Sequence, residues 1–79
     1  MKIRITGPAR RHRIGNERIL YAMQHATYTG PDPREGSDGT YFIGEDQRGV
    51  ELEIVAVPDD RNPGDLAVIH AMPTDWRNR

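Results

Sequence analysis

Seventy-nine residues with a formal net charge of -1 suit one small domain near the lower limit for a core that folds unaided. Cysteine is absent, which excludes a disulfide framework and any thiolate metal site. No apolar run approaches the ~20 residues of a membrane span, and the N-terminus carries no signal-peptide segment, so the expectation is a cytoplasmic protein without membrane attachment.

The charge is unevenly spread. Residues 1–25 carry Lys2, Arg4, Arg10, Arg11, Arg13 and Arg18 against Glu17 alone, a balance of +5. Residues 26–79 carry five arginines against eleven acids, a balance of -6. A local basic surface can meet RNA phosphates or an acidic partner. It can equally be a solvated flank answering acids in the same molecule.

In chain order, Lys2-Ile3-Arg4-Ile5-Thr6 alternates as a short half-buried strand does, with Ile3 and Ile5 inward. Gly7-Pro8 opens a brief helix, Pro8–Arg13, because proline is tolerated where the first N–H has no partner. Gly15-Asn16 signals a second helix running to about Thr27, with Glu17 in its first turn. Ile19, Leu20, Met23 and Ala26 recur at helical spacing and give it one apolar face. Arg18, Tyr21 and His25 share another face, either a recognition surface or an exposed flank.

Residues 29–39 read as a loop on their Gly, Pro, Asp and Ser content. Three strands follow: Tyr41–Ile43, Val50–Val57 and Leu66–Met72, separated by turn-rich breaks. Residues 73–79 form a polar tail, in which Trp76 docks on the core or anchors a partner. The order β-α-α-β-β-β predicts an α+β fold in which a mostly antiparallel sheet carries two helices on one face.

Closing the loop between the last two strands symmetrically sets Val57 opposite Leu66 and Glu53 opposite His70. Leu52, Ile54 and Ala56 then share a face with Ala67, Ile69 and Ala71. Glu51, Glu53, Val55 and Val57 share the other with Leu66, Val68, His70 and Met72. That second face is left open for a ligand or another chain.

His12, His25 and His70 lack metal-ligand spacing, and no phosphate-binding glycine loop or serine nucleophile is evident, so neither a metal nor a cofactor is expected. The Glu53–His70 pair is the best acid–base candidate, with His12 as a further proton donor or phosphate contact. RNA supplies its own nucleophile, the 2′-hydroxyl. A nuclease then needs a base, an acid and cations for the developing phosphorane charge. Arg4, Arg48 or the run Arg10 to Arg13 can supply the cations. The same pair also reads as a cross-strand ion pair contributing up to ~1 kcal/mol.

Pro8-Ala9-Arg10-Arg11-His12-Arg13-Ile14-Gly15-Asn16-Glu17-Arg18-Ile19-Leu20-Tyr21-Ala22 resembles the opening helices of the BrnT-like bacterial toxins, within the wider RelE-type superfamily. Phe42 to Val55 is similar to that family's Ile-Gly-x-Asp-x-x-Gly-x-x-Leu-Glu hairpin, and Val68-Ile69-His70-Ala71-Met72-Pro73 to its closing strand. The resemblance implies a RelE-like toxin of a type II toxin–antitoxin system, an endoribonuclease that cuts RNA, free or on the ribosome, and arrests growth. It also implies a cognate antitoxin as partner, in a hetero-oligomer. By position it carries over His12, Arg11, Glu53 and His70, with Arg48 in the hairpin turn; Arg10 and Arg13 complete the basic run. Pro8 stands where the family has a His, Arg13 where it has Gly, and Thr74-Asp75-Trp76 where basic residues follow the closing strand. The alternative is a non-catalytic interaction module that binds a protein through the open sheet face. A DNA-binding regulator fits less well, since the helix from Asn16 carries only Arg18 as a cation.

Overall fold

The computed structural model describes residues 1–78; Arg79, the last residue of the expected tail, lies outside them. Among the described residues the chain is an α+β protein with a five-stranded mixed sheet and one main helix. The strands are β1 (Ile3–Ile5), β2 (Ala26–Pro31), β3 (Thr40–Glu45), β4 (Glu51–Pro58) and β5 (Leu66–Pro73). The helix α1 is Asn16–Gln24, and Pro8–Arg10 and Thr74–Asn78 are 3-10 turns. The sheet runs β1-β5-β4-β3-β2, with β1 parallel to β5 and every other pair antiparallel. No helix among these residues is long and apolar enough to cross a membrane.

Three expectations change. The expected first helix is only a 3-10 turn, so one main helix remains rather than two. The second ends at Gln24, and the segment expected to finish it and begin a loop is strand β2. Thr27, Tyr28 and Thr29 favour extended backbone, and an edge strand tolerates Gly30 and Pro31, which had marked a loop. None of the six β2 positions is buried, four being exposed and two half-buried, so the usual alternating burial pattern is missing. Finally, the segment expected as a polar tail forms a turn: Thr74 Oγ1 donates to Glu51 Oε1 at 2.7 Å, and Trp76, of the two alternatives expected for it, packs within the molecule, edge-on against His12 with ring centroids 5.3 Å apart.

The β4–β5 register also differs. Asp59 N–H donates to the Asp65 carbonyl, and Pro58 rather than Val57 stands opposite Leu66. A bulge then leaves Ile69 without a direct partner, between the Ala56–Val68 and Val55–His70 pairs. The loop half is thus shifted by one residue, which moves Val68 to the core face, where it is fully buried. The other half is shifted by two. Glu53 stands opposite Met72, and His70 opposite Val55, but a two-residue shift keeps both on the same face as diagonal neighbours.

One face packs the core. Leu52, Ile54, Ala56, Val68 and Ala71 meet Ile19 and Ala22 of α1, with Ala9 and Ile14 from the segment before it. Full burial of a side chain such as Ile19, Leu52 or Ile54 contributes roughly 1.5–3 kcal/mol. The opposite face is built of two cross-strand rows, Tyr28–Ile43–Glu53–Met72 and Gly30–Tyr41–Val55–His70. It is open only in part: Tyr41, Glu53 and Val55 are buried, with Gly39 of the loop 32–39 against Val55 and the Ala56 carbonyl, while Tyr28 is exposed and Ile43, His70 and Met72 are half-buried.

Buried aspartates organise the turns. Asp46 accepts from the N–H groups of Arg48 and Val50 and from Arg18 Nε at 2.6 Å, which ties α1 to the β3–β4 hairpin. Arg18 is therefore a structural anchor; Tyr21 and His25 stack separately, centroids 4.0 Å apart. Burial pushes the Asp46 carboxyl up, but Arg18 and the two N–H groups outweigh it and hold it below the ordinary range. Asp59 accepts both Nε and Nη2 of Arg4, at 3.1 and 2.9 Å, and the Arg61 N–H. Arg4, and then the Arg61 N–H, hold the Asp59 carboxyl well below its usual range.

Gly44 lets α1 approach the sheet: a Cβ there would lie 2.9 Å from Ala26 Cα and closer still to the Ala22 carbonyl. Both are backbone atoms that cannot swing aside. Gly44→Ala is expected to destabilise the fold by about 1–3 kcal/mol or more, read as a lower denaturant midpoint at unchanged slope; an unchanged midpoint would refute the close approach. Arg13 adopts φ 58°, a left-handed conformation that costs a side-chain-bearing residue about 1 kcal/mol. Arg13→Gly should therefore raise the same midpoint, by an amount worth up to about 1 kcal/mol.

Candidate active site

The bulge at Ile69 and the two-residue offset bring Glu53 of β4 and His70 of β5 together. His70 Nε2 donates to Glu53 Oε2 at 3.1 Å. The Glu53 side chain is 6% exposed and that of His70 31%, so the carboxylate sits behind an imidazole that still reaches solvent. Because the carboxylate accepts from Nε2, neutral His70 carries its proton there and presents Nδ1 as the basic nitrogen.

His12 arrives from a different direction. Beyond Val68, β5 has no strand on its outer side, because β1 turns away after Thr6, whose N–H and hydroxyl both donate to the Val68 carbonyl. The Pro8–Arg10 turn and the residues after it occupy this stretch of edge. Ala9 and Ile14 join the core side, while Arg11 and His12 come to the Glu53 side. The His12 and His70 rings meet edge to face, 6.4 Å between centroids, and Trp76 packs on the other side of His12.

A cavity of about 360 Å³ is lined by Pro8, Arg11, His12, Arg34, Ile69, His70 and Met72. Two imidazoles and two guanidiniums on one small cavity make a site for an anion. A second cavity, about 190 Å³, lies beside it, lined by Asp32, Pro33, Arg34, Tyr41, Glu53, Val55 and His70. Arg34 and His70 belong to both, and so stand at their junction.

Arg34 was not foreseen. It comes from the loop that covers the sheet face, and a buried aspartate sets its position. Asp32 accepts from the Arg34 backbone N–H, from Arg34 Nε and Nη2 at 2.9 and 2.7 Å, and from Ser37 Oγ at 2.8 Å. The Asp32 N–H donates to the Gly39 carbonyl and closes the loop. The Asp32 carboxyl is buried, while Arg34 remains 59% exposed and reaches the cavities. Pro31-Asp32-Pro33-Arg34 does carry a turn signal in the sequence. Nothing local says that this turn folds back over Glu53 and His70.

The structure therefore unites Glu53, His70, His12 and Arg11 from the expected set and adds Arg34. Arg10, Arg13 and Arg48 line neither cavity. Arg48 serves the β3–β4 turn instead, through its backbone N–H to Asp46. Compared with protein-family models, curated proteins and solved structures, the chain shows no match.

The Arg34 guanidinium holds the Asp32 carboxyl down to about 2, against burial that acts the other way, with Ser37 and the Arg34 N–H assisting. A carboxyl with a folded-state value below its unfolded one stabilises the fold above its ordinary range of about 4, and loses that contribution as pH falls toward 2. An NMR titration of the Asp32 side chain should show a midpoint near pH 2, with the Ser37 and Gly39 amides following it. A midpoint near 4 would mean that the ion pair does not hold the loop. Asp32→Asn should free Arg34 and speed proteolysis within residues 33–39 at neutral pH.

Proposed function

We propose that the chain is the toxin of a type II toxin–antitoxin system, a RelE-like endoribonuclease that cleaves RNA by attack of its 2′-hydroxyl and is neutralised by a cognate antitoxin. The observation that carries this reading is the 360 Å³ cavity on which His12, His70, Arg11 and Arg34 converge, with Glu53 holding His70 from behind. The sequence resemblance to BrnT-like toxins supports it independently. So does Arg13: it occupies the position where that family has Gly, and its backbone is left-handed, as glycine readily is.

In this mechanism the scissile phosphate sits against Arg11 and Arg34, which offset the charge growing on its oxygens. His70 Nδ1 takes the proton from the 2′-hydroxyl as that oxygen bonds to phosphorus. The P–O5′ bond breaks, and His12 gives its proton to the departing 5′-oxygen. The products are a 2′,3′-cyclic phosphate and a 5′-hydroxyl, and the net proton count is unchanged. Glu53 fixes the tautomer of His70 and stabilises the imidazolium that forms.

The basic N-terminal third supports the same reading, since it contributes Arg11 and His12 to the cavity while the rest of the chain is acidic. The interaction-module alternative rests on an open sheet face; residues 32–39 cover part of that face, and what remains accessible leads into the cavities of His12 and His70, which favours the toxin reading.

The test is induction of the gene in bacteria lacking its antitoxin, followed by growth and by mapping of RNA ends. Growth arrest with new 2′,3′-cyclic phosphate ends is expected for the wild type. For His70→Ala and His12→Ala the cleavage rate of the purified protein should drop by roughly 10²–10⁴ with the fold retained. Wild-type protein that is folded, abundant and harmless, with RNA intact, would refute the proposal.

A further inference from the structure

The two cross-strand rows of the site face continue past the catalytic cavities toward the β2 edge. There Tyr28, Pro31, Pro33, Tyr41 and Ile43 line a groove of about 260 Å³. Pro33 and Tyr41 belong also to the cavity that contains Glu53 and His70, so the groove adjoins the site without a break. Tyr28 is 51% exposed, more than Tyr21 or Trp76.

The position of its ring follows from the sheet. Tyr28 stands opposite Ile43, and Gly30, two residues on along the same face, stands opposite Tyr41. Since Gly30 has no side chain, the Tyr28 ring lies in the space above it and meets Tyr41 edge to face, centroids 6.2 Å apart. A Cβ on Gly30 would come within 2.9 Å of Tyr28 Cζ. Gly30 thus holds the aromatic surface in place by absence. The walls are apolar or aromatic, whereas the adjoining cavity holds the Asp32–Arg34 and Glu53–His70 pairs, and the cavity beyond it, with Arg11, His12, Arg34 and His70, carries cations and no acid on its walls.

We propose that this groove is a stacking subsite for a nucleobase of single-stranded RNA, the nucleotide next to the one whose phosphate enters the His12–His70 cavity. The proposal rests on the reading of that cavity as an RNA phosphate site. A ligand that spans groove and cavity must carry a flat apolar surface and an anionic link a short distance apart, and a single-stranded nucleic acid has that alternation. Apolar walls and a ring face select for the presence of a base more than for its identity, so the subsite orders the strand without fixing one sequence.

The test is the affinity of a fluorescein-labelled 2′-O-methyl RNA hexanucleotide, which cannot be cut by 2′-hydroxyl attack, followed by fluorescence anisotropy. An abasic hexanucleotide of the same charge serves as the comparison. Tyr28→Ala should weaken binding of the base-bearing probe by about 5- to 100-fold and leave the abasic probe unaffected. Tyr28→Phe should retain affinity. Gly30→Ala should weaken the base-bearing probe in the same direction, because its Cβ would displace the Tyr28 ring from its place above Gly30. Equal binding of both probes by the wild type, wild-type affinity in Tyr28→Ala, or no binding at all would overturn the subsite. The two readings separate cleanly. Tyr28-dependent binding without cleavage of unmodified RNA refutes the nuclease and keeps the subsite; His70-dependent cleavage with Tyr28-independent binding does the reverse.

Discussion

The site depends on the extra residue in β5. With regular pairing beyond Pro58 and Leu66, every opposed pair would keep the one-residue offset of the loop, and His70 would stand on the core side against Leu52, Ile54 and Ala56. The bulge at Ile69 adds the second offset and returns His70 to the face that carries Glu53. Because side chains alternate, one residue decides whether an imidazole is buried among aliphatic groups or faces a carboxylate. The same bulge lets Val68 fill the core. Packing on one face and chemistry on the other thus have a common origin in a single irregular position.

Around that position the fold uses one device three times. Asp32, Asp46 and Asp59 are each buried, each accepts backbone N–H groups of its own turn, and each pairs with an arginine. Asp59 and Arg4 join the β4–β5 loop to β1; Asp46 and Arg18 join the β3–β4 hairpin to α1. A buried carboxylate is costly unless its acceptor sites are filled, and here the turn's own N–H groups fill them. A domain of this size has a small core, so long connections need such local order. At Asp32 the partner is Arg34 of the same loop, and the result is a cation held over the sheet face rather than a link between elements.

How much of this could be read from the sequence follows from the range of each interaction. The β3, β4 and β5 strands were legible because their β-branched residues are bounded by turn residues, and the Glu53–His70 contact survived an error in register because the error was an even number of residues. Val68 was assigned to the wrong face because, in its half of the strand, the error was odd. Strand β2 was missed because an edge strand with Gly30 and Pro31 lacks both alternation and the usual composition. His12 is legible as a candidate, but its meeting with His70 is not, because that depends on β1 ending after Ile5 and leaving the edge of β5 uncovered, a long-range condition. Arg34 was not legible, since its turn signal says that the chain bends but not over what.

The overall charge also reads differently once burial is known. The sequence has a net charge of -1 and an acidic C-terminal two-thirds. Yet Asp32, Asp46, Asp59 and Glu53 are buried, and each is paired with an arginine or a histidine that is itself more exposed. Close opposite charges contribute little net field at a distance, while Arg11 and His12 line a cavity with no acid on its walls. What an approaching phosphate meets is set by which charges reach the surface at the site. The fold places the acids where they order turns and orient an imidazole, and leaves cations at the mouth of the cavity.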